Sequence, residues 1–284
     1  MFSVHGPALV DYFYFIDKYP EKGKNTLIKS FFKSAGGAGA NVAHNLAKIG
    51  IDAKIFTSIG RDDDAKFFLE NTTAEVYAEV THEKTGKVLV FVDSSGERTF
   101  FIEPNASEYP VFKKIKCKYL YVDPFPSKKS FDVQLEVLKN SEAFKILNPC
   151  HIYSSMEFEK LKDMLEFVDM LILSHEELKE LKVDFKEILK FVDYLIVTKG
   201  AEGSECITSE ASYYAKAFKT KVVDTTGAGD AFAAGFIYGF MRELPIEICL
   251  KLGNFCGAYK VSRIGARNFP SFEEIESFLA KILK

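Results

Sequence analysis

The sequence predicts an α/β protein built on a mostly parallel sheet with helices on both faces. Four short runs carry the first argument: YLYVDP (119–124), FKILNP (144–149), DMLILS (169–174) and DYLIVTKG (193–200). Each is apolar nearly throughout and ends in Pro, Ser or Gly near a polar residue. Strands read this way when both faces are covered and neither side chain row meets water. Second, helical patterns such as SMEFEKLKDMLEFV (155–168) and HEELKELK (175–182) lie between them, and strand–helix alternation builds parallel sheets. Third, the chain opens as strand, glycine loop, helix, strand, which is a βαβ beginning.

Taken in order, FSVHG (2–6) is a short buried strand ending in glycine. VDYFYFID (10–17) and NTLIKSFF (25–32) are two further strands joined by the turn Pro20-Glu21-Lys22-Gly23. GGAGANVAHNLAKIG (36–50) turns from a glycine loop into a helix with Ala40, Ala43, Leu46 and Ala47 on one side. Gly50 suits the left-handed position that ends such a helix. AKIFTSIG (53–60) follows as a strand. The stretch from about 76 to 103 has no helix of its own, and GKVLVFVDSSGERTFFIE (86–103) reads as a hairpin turning at Asp93-Ser94-Ser95-Gly96. With the strands near 10–33 it could form a small separate sheet. GSECITSEASYYAKAF (203–218) is a late antiparallel hairpin, and helices at 228–241, 246–261 and 271–283 close the chain.

A chain of 284 residues suffices for one large α/β domain. Its net charge of -3 points to neither nucleic acid nor an anionic membrane. The five cysteines, Cys117, Cys150, Cys206, Cys249 and Cys256, are scattered without a C-x-x-C pair. They read as reduced thiols of a cytoplasmic protein rather than as a zinc site or disulfide framework. Cys249 and Cys256 fall on one helix face, as core residues do. The N-terminus lacks the basic start of a signal peptide. The longest apolar run, AFAAGFIYGFM (231–241), is far short of the ~20 residues a membrane span needs.

In a sheet of this kind, ligands bind beyond the carboxyl ends of the strands. DTTGAGDAF (224–232) lies in such a place. Gly227, Ala228 and Gly229 would present free amides at a helix start, an anion hole aided by the helix dipole. Asp230 stands where a Walker A loop would have its lysine, so this is not that loop. The acid either complements the dipole or accepts a proton from a hydroxyl attacking phosphorus. The residues alone leave both readings open.

Gly36, Gly37 and Gly39 let backbone approach a ligand, and Asn41 can donate to and accept from a vicinal diol. A tight turn would explain them equally well. The third glycine of a dinucleotide fingerprint is absent, which argues against a nicotinamide dehydrogenase. Taken alone, Asp11 reads as a surface acid on an aromatic strand. Ser174 and Glu177 in LILSHEEL form a capping box by spacing; the functional alternative is that Glu177 holds Mg²⁺ through water. His175 has no second histidine at metal-ligand spacing and reads as exposed. Thr198, Gly200 and Gly203 follow a strand and suit either a flat ligand group or the start of a hairpin.

Together these segments resemble the ribokinase or PfkB family of carbohydrate and nucleoside kinases, in order along essentially the whole chain. GGAGANVAHNLAKIG is similar to the family's first signature and DTTGAGDAFAAGF to its second, more specific one. SIGRDDDAKFF, SSGERTF, VTKGAEG and RIGARNFPSFEEIESFL fall where the family has comparable segments. The resemblance implies a ribokinase-like three-layer α/β/α fold, one domain over 1–284, with a small β-sheet lid from about 9–33 and 76–103. It implies ATP-dependent transfer of the γ-phosphoryl group to a hydroxymethyl group of a sugar or sugar-like substrate, with Mg²⁺. A nucleoside kinase of the same family is the alternative, and a non-catalytic sugar or nucleotide sensor stands behind both. Asp230 would be the base, with Gly227, Ala228 and Gly229 as the anion hole. Asp11, Gly37 and Asn41 would bind substrate hydroxyls. Thr198, Gly200 and Asn254 would line the nucleotide pocket, and Asp224 and Thr226 match a monovalent-cation loop, for K⁺, found in some members. The lid could pair with that of a second copy. Three positions depart from the family pattern. Ser174 replaces the asparagine of its N-x-x-E motif, Ala38 a lysine frequent in ribokinases, and Ala65 a frequent glycine.

Overall fold

The computed structural model describes residues 1–111 and 114–283. The chain enters through β1 (Phe2–His5), leaves for β2 (Leu9–Ile16) and β3 (Ile28–Gly36), and returns as α1 (Ala38–Lys48) and β4 (Ala53–Ile59). Next come α2 (Asp63–Glu70), β5 (Glu75–Val80), β6 (Gly86–Val92) and β7 (Arg98–Glu103). The alternating region runs β8 (Tyr119–Val122), α3 (Ser130–Lys139), β9 (Phe144–Leu147), α4 (Cys150–Ser154), α5 (Phe158–Leu165) and β10 (Met170–Ser174). It continues with α6 (His175–Glu180), α7 (Phe185–Ile188) and β11 (Tyr194–Thr198). The hairpin β12 (Ser204–Ile207) and β13 (Ser212–Ala215) precedes α8 (Ala228–Met241), α9 (Ile246–Val261) and α10 (Phe272–Ile282).

Nine strands form the large sheet in the order β13-β12-β11-β10-β9-β8-β1-β4-β5. All pairs are parallel except those of the late hairpin, β11–β12 and β12–β13. Alternate residues of one strand enter opposite cores. Met170 and Ile172 of β10 pack with α1, α8, α9 and α10, while Leu171 and Leu173 pack with α3 and α5. That is the three-layer arrangement expected, and it explains why these strands show no polar alternation. Cys249 and Cys256 are buried in the first core.

The small sheet has the order β3-β2-β6-β7, with β2 and β6 parallel at its centre. Its boundary differs from the expected one. Residues 76–80 pair with β4 as the edge of the large sheet, so the small sheet resumes only at Gly86. Of the helical pattern at 155–168, Phe158–Leu165 forms α5, and α2, α3, α4 and α7 are short helices that the sequence pattern does not mark.

Strand order reverses between β1 and β8, which places a crevice beyond their carboxyl ends. Glycines allow the crowding there. A Cβ on Gly39 would lie 2.7 Å from Val4 Cγ1 and 2.9 Å from Asp123 Cβ. Helices α8 and α9 likewise meet through glycine: a Cβ on Gly235 would fall 2.7 Å from Cys256 Sγ, and one on Gly253 2.7 Å from the Phe232 ring. Replacing Gly235 by Val should therefore destabilise the protein by ~1–3 kcal/mol through overpacking, seen as a lower urea midpoint. Gly257→Ala, whose nearest neighbour would be 3.6 Å away, should instead be neutral or stabilising by up to about 1 kcal/mol, because alanine favours helix.

Candidate active site

The loop 224–227 runs into the start of α8. Gly227 adopts φ +74, and a Cβ there would meet Ala266 O at 2.7 Å, so only glycine fits this left-handed corner. The Ala228 N–H donates to Thr225 O and the Ala231 N–H to Gly227 O. Between them, the amides of Gly229 and Asp230 have no protein acceptor among the described residues. Beyond its chain neighbours and its own stretch of helix backbone, no atom lies within 4 Å of where a Gly229 Cβ would stand. An open helix start with free amides is suited to an anion.

Asp230 sits one step into the helix. Its Oδ2 accepts from Asn41 Nδ2 at 2.8 Å, and Asn41 Oδ1 accepts from Arg267 Nε at 2.9 Å. Burial at the cleft floor pushes the Asp230 carboxyl up to about 7; the Asn41 bond and Arg267 pull it down, while Asp123 and Asp11 push it further up. Asp11 is buried, not the surface acid that β2 suggested by itself. Burial also raises Asp11 to about 7 against the charge of Arg267. Its carboxyl lies against Gly36, where a Cβ would come within 2.5 Å of Oδ2. Gly37, at φ +93, makes the turn beside Pro7 O and caps the start of α1.

Three residues here escaped the sequence reading. Arg267 links α10's approach to Asn41, and its Nη1 also donates to Thr72 Oγ1 at 2.8 Å. Asp123, at the end of β8, accepts from the Gly39 N–H at 2.7 Å and from Cys150 Sγ at 3.3 Å. Burial raises it to about 6. Arg98 reaches from β7 to Asp224 Oδ1 at 3.2 Å and to the hydroxyls of Thr225 and Thr226, joining the small sheet to the anion-hole loop. An acid closing an apolar strand is the one local signal for Asp123; its place at the switch point follows only from the strand order. Nothing local marks Arg98 or Arg267.

Thr198, Gly200 and Asn254 come together in a cavity of about 620 Å³ that also reaches Ala228 and Gly229. Asn254 donates to Ala215 O at 2.9 Å, holding the end of β13 at the rim. Glu177 stands apart. Its Oε2 accepts from the Ser174 N–H at 2.7 Å while its own N–H donates to Ser174 Oγ, completing the capping box. Its charge nonetheless bears on Asp123. Asp224 and Thr226 share the loop before Gly227, where the Thr226 N–H donates to Asp224 Oδ1 at 2.9 Å. His175 is half-buried. Among the described residues no helix is long and apolar enough to cross a membrane.

A helix start with free amides thus stands beside a buried carboxyl, and the chain is a phosphotransferase acting on an alcohol. The chain belongs to the pfkB family carbohydrate kinases, whose pattern matches residues 5–273. It is 26% identical to a nucleoside kinase of Methanocaldococcus jannaschii over 97% of this chain and 95% of that protein. It is 30% identical to an ATP-dependent ribose-1-phosphate kinase of Halopiger xanaduensis over 94% and 93%. A ribokinase structure from Thermotoga maritima superposes with a TM-score of 0.87 at 25% identity, covering 98% of this chain and 99% of that one.

The raised Asp230 sets a stability prediction. A carboxyl at about 7 in the fold and near 4 in the unfolded chain binds its proton more tightly when folded, so its contribution declines as pH rises from 4 through 7. Asp230→Asn removes that penalty. Its melting temperature should exceed the wild type's at pH 8, and the difference should vanish near pH 4.

Proposed function

We propose that this kinase transfers the γ-phosphoryl group of ATP to a hydroxymethyl group of a sugar or sugar-like acceptor, with Asp230 as base. The observation that carries the proposal is the junction at α8: unpaired amides at Gly229 and Asp230 beside a cleft-floor carboxylate that Asn41 orients. The acceptor hydroxyl loses its proton to Asp230 as its oxygen bonds to phosphorus and the β–γ bond breaks, releasing ADP. The amides of Gly227 and Gly229 stabilise charge on the group in flight, whereas that of Ala228, expected among them, is engaged by Thr225 O. Transfer is direct and in line, with no phosphoenzyme. Asp11 and Asn41 hold acceptor hydroxyls, and the cavity of Thr198, Gly200 and Asn254, continuous with the anion hole, takes the nucleotide.

Among the described residues no three His, Cys, Asp or Glu side chains gather for a metal. That fits Mg²⁺, which keeps most of its waters and leans on the nucleotide's own phosphates. Glu177, whose charge already reaches Asp123, would meet its water shell, and the ion would neutralise phosphate charge when bound. The aromatic supply supports a sugar over a base as acceptor. By strand alternation Phe13 and Phe15 share the Asp11 face, and Phe13 is already stacked on Phe32 at 4.6 Å. Tyr12, Tyr14 and Phe101 lie on the opposite face with Phe31 and Phe91. The exposed Ile28, Phe31, Phe100, Phe101 and Ile102 support pairing of the small sheet with that of a second copy.

The test is ADP release with ribose, fructose, 2-keto-3-deoxygluconate, inositol, ribose 1-phosphate, adenosine, cytidine and inosine as acceptors. A free sugar should give the highest kcat/KM; a nucleoside or a phosphorylated sugar in first place overturns the acceptor reading. With the best acceptor, Asp230→Asn should lose ~10²–10⁴-fold in kcat while retaining ATP affinity. Because the base must be ionised, kcat/KM should climb with pH through about 7, the value to which burial raises Asp230. Asn41→Ala, which removes a bond favouring the ionised form, should move that limb to higher pH.

A further inference from the structure

The loop that resembles a monovalent-cation site already holds a cation of its own. Lys260 lies on α9 with its side chain 0% exposed. Its Nζ donates to Asp224 O at 2.5 Å and to Arg263 O at 3.2 Å, and lies 3.3 Å from Asp224 Oδ2. These are two backbone carbonyls and a carboxylate oxygen, converging from the two loops that flank the anion hole. The other Asp224 oxygen, Oδ1, faces Arg98, and the Gly265 N–H also donates to Oδ2 at 2.8 Å. Burial pushes Asp224 up, but the amides of Thr226 and Gly265 and the Lys260 charge outweigh it and hold the carboxylate below its ordinary range. The single negative charge is therefore shared by two positive ones.

A monovalent ion does not fit this arrangement. Asp224 O and Oδ2 are taken by the ammonium of Lys260, and Asp224 Oδ1 and Thr226 Oγ1 by the guanidinium of Arg98. A second cation beside the ammonium would be repelled by it, and only weakly screened at the margin of a protein. A buried lysine is otherwise rare, and one without paired oxygens would be strongly destabilising.

We infer that Lys260 is a built-in cation that sets the Asp224–Gly227 loop, and with it the anion hole, so that this kinase works without K⁺. Its consequence for turnover rests on the kinase reading above; the occupancy of the loop does not. Lys260 touches no reacting atom and is a positioning residue. It acts by tying the Asp224 and Arg263 backbones together where Gly227 packs on Ala266.

The test compares wild type, Lys260→Ala and Lys260→Met in the chloride salts of potassium, ammonium, sodium and Tris at one ionic strength. Melting temperature is read first, because it needs no acceptor. The wild type should melt alike in all four. Lys260→Ala, which leaves room and three oxygens, should melt lower in Tris and regain several degrees in potassium or ammonium, as a bound ligand stabilises. Lys260→Met, which fills the space without charge, should melt lower and regain nothing. Activity is read second. Wild-type kcat should vary less than about twofold across the salts, and the alanine variant should lose roughly 10–100-fold in Tris and recover in potassium, a loss of the size expected for a misplaced anion hole. A wild type stabilised or activated severalfold by potassium overturns the inference, as does a methionine variant with unchanged kcat. If neither variant folds, the wild-type salt series decides alone. If no acceptor is turned over in any salt, the kinase reading fails, while the melting data still decide the cation.

Discussion

The hydrogen bond from Asn41 to Asp230 is the contact on which the site depends. It joins α1 to α8, elements separated by most of the chain, and the third member, Arg267, arrives from the segment before α10. An amide suits that position. It must donate to a carboxylate on one side and accept from a guanidinium on the other, and a carboxylate or an ammonium would fail one of the two. The two helices approach closely enough because both begin with small residues. Ala40 and Ala43 of α1 and Ala231 and Ala234 of α8 are all fully buried in the same core. A larger side chain at any of them would push Asn41 and Asp230 apart.

Charge is sorted across the cleft. On the acceptor side, Asp11, Asp123 and Asp230 all sit where burial makes ionisation costly, and Arg267 is the cation that moderates two of them. On the phosphate side stand free amides, with Arg98 and Lys260 behind them on Asp224. One side of the cleft thus offers proton acceptors and the other offers donors. That polarity is set by the fold itself and suits the proposed transfer.

Much of this was legible in the residues. The continuous apolar strands gave the parallel sheet, and the glycine turns at 36–39 and 227–229 marked both helix starts. What escaped was whatever depends on approach between distant segments. Asp11 reads as surface on its own strand because nothing local announces Gly36 and Arg267 across from it. The order of strands puts Asp123 at the switch point, and that order is a tertiary fact. Lys260 did leave a trace: it continues the stripe of Cys249, Leu252 and Cys256 at helical spacing, and all four are buried. A lysine on an apolar stripe implies buried oxygens, although their identity cannot be read from the helix. The edge strand β5 was absorbed into the small sheet because its alternating Glu75, Tyr77 and Glu79 look like a solvent-facing hairpin rather than the margin of a covered sheet.

Gly229 closes the account from a different direction. Unlike Gly227 it has no left-handed backbone to excuse it, and no neighbour beyond its own helix lies within 4 Å of its missing Cβ. In the first turn of a helix, alanine would serve the folded chain better by up to ~1 kcal/mol. The protein thus forgoes stability at a position where its own atoms impose no requirement. The missing methyl group leaves the backbone bare at the one turn of α8 where the amides of Gly229 and Asp230 stand unpaired.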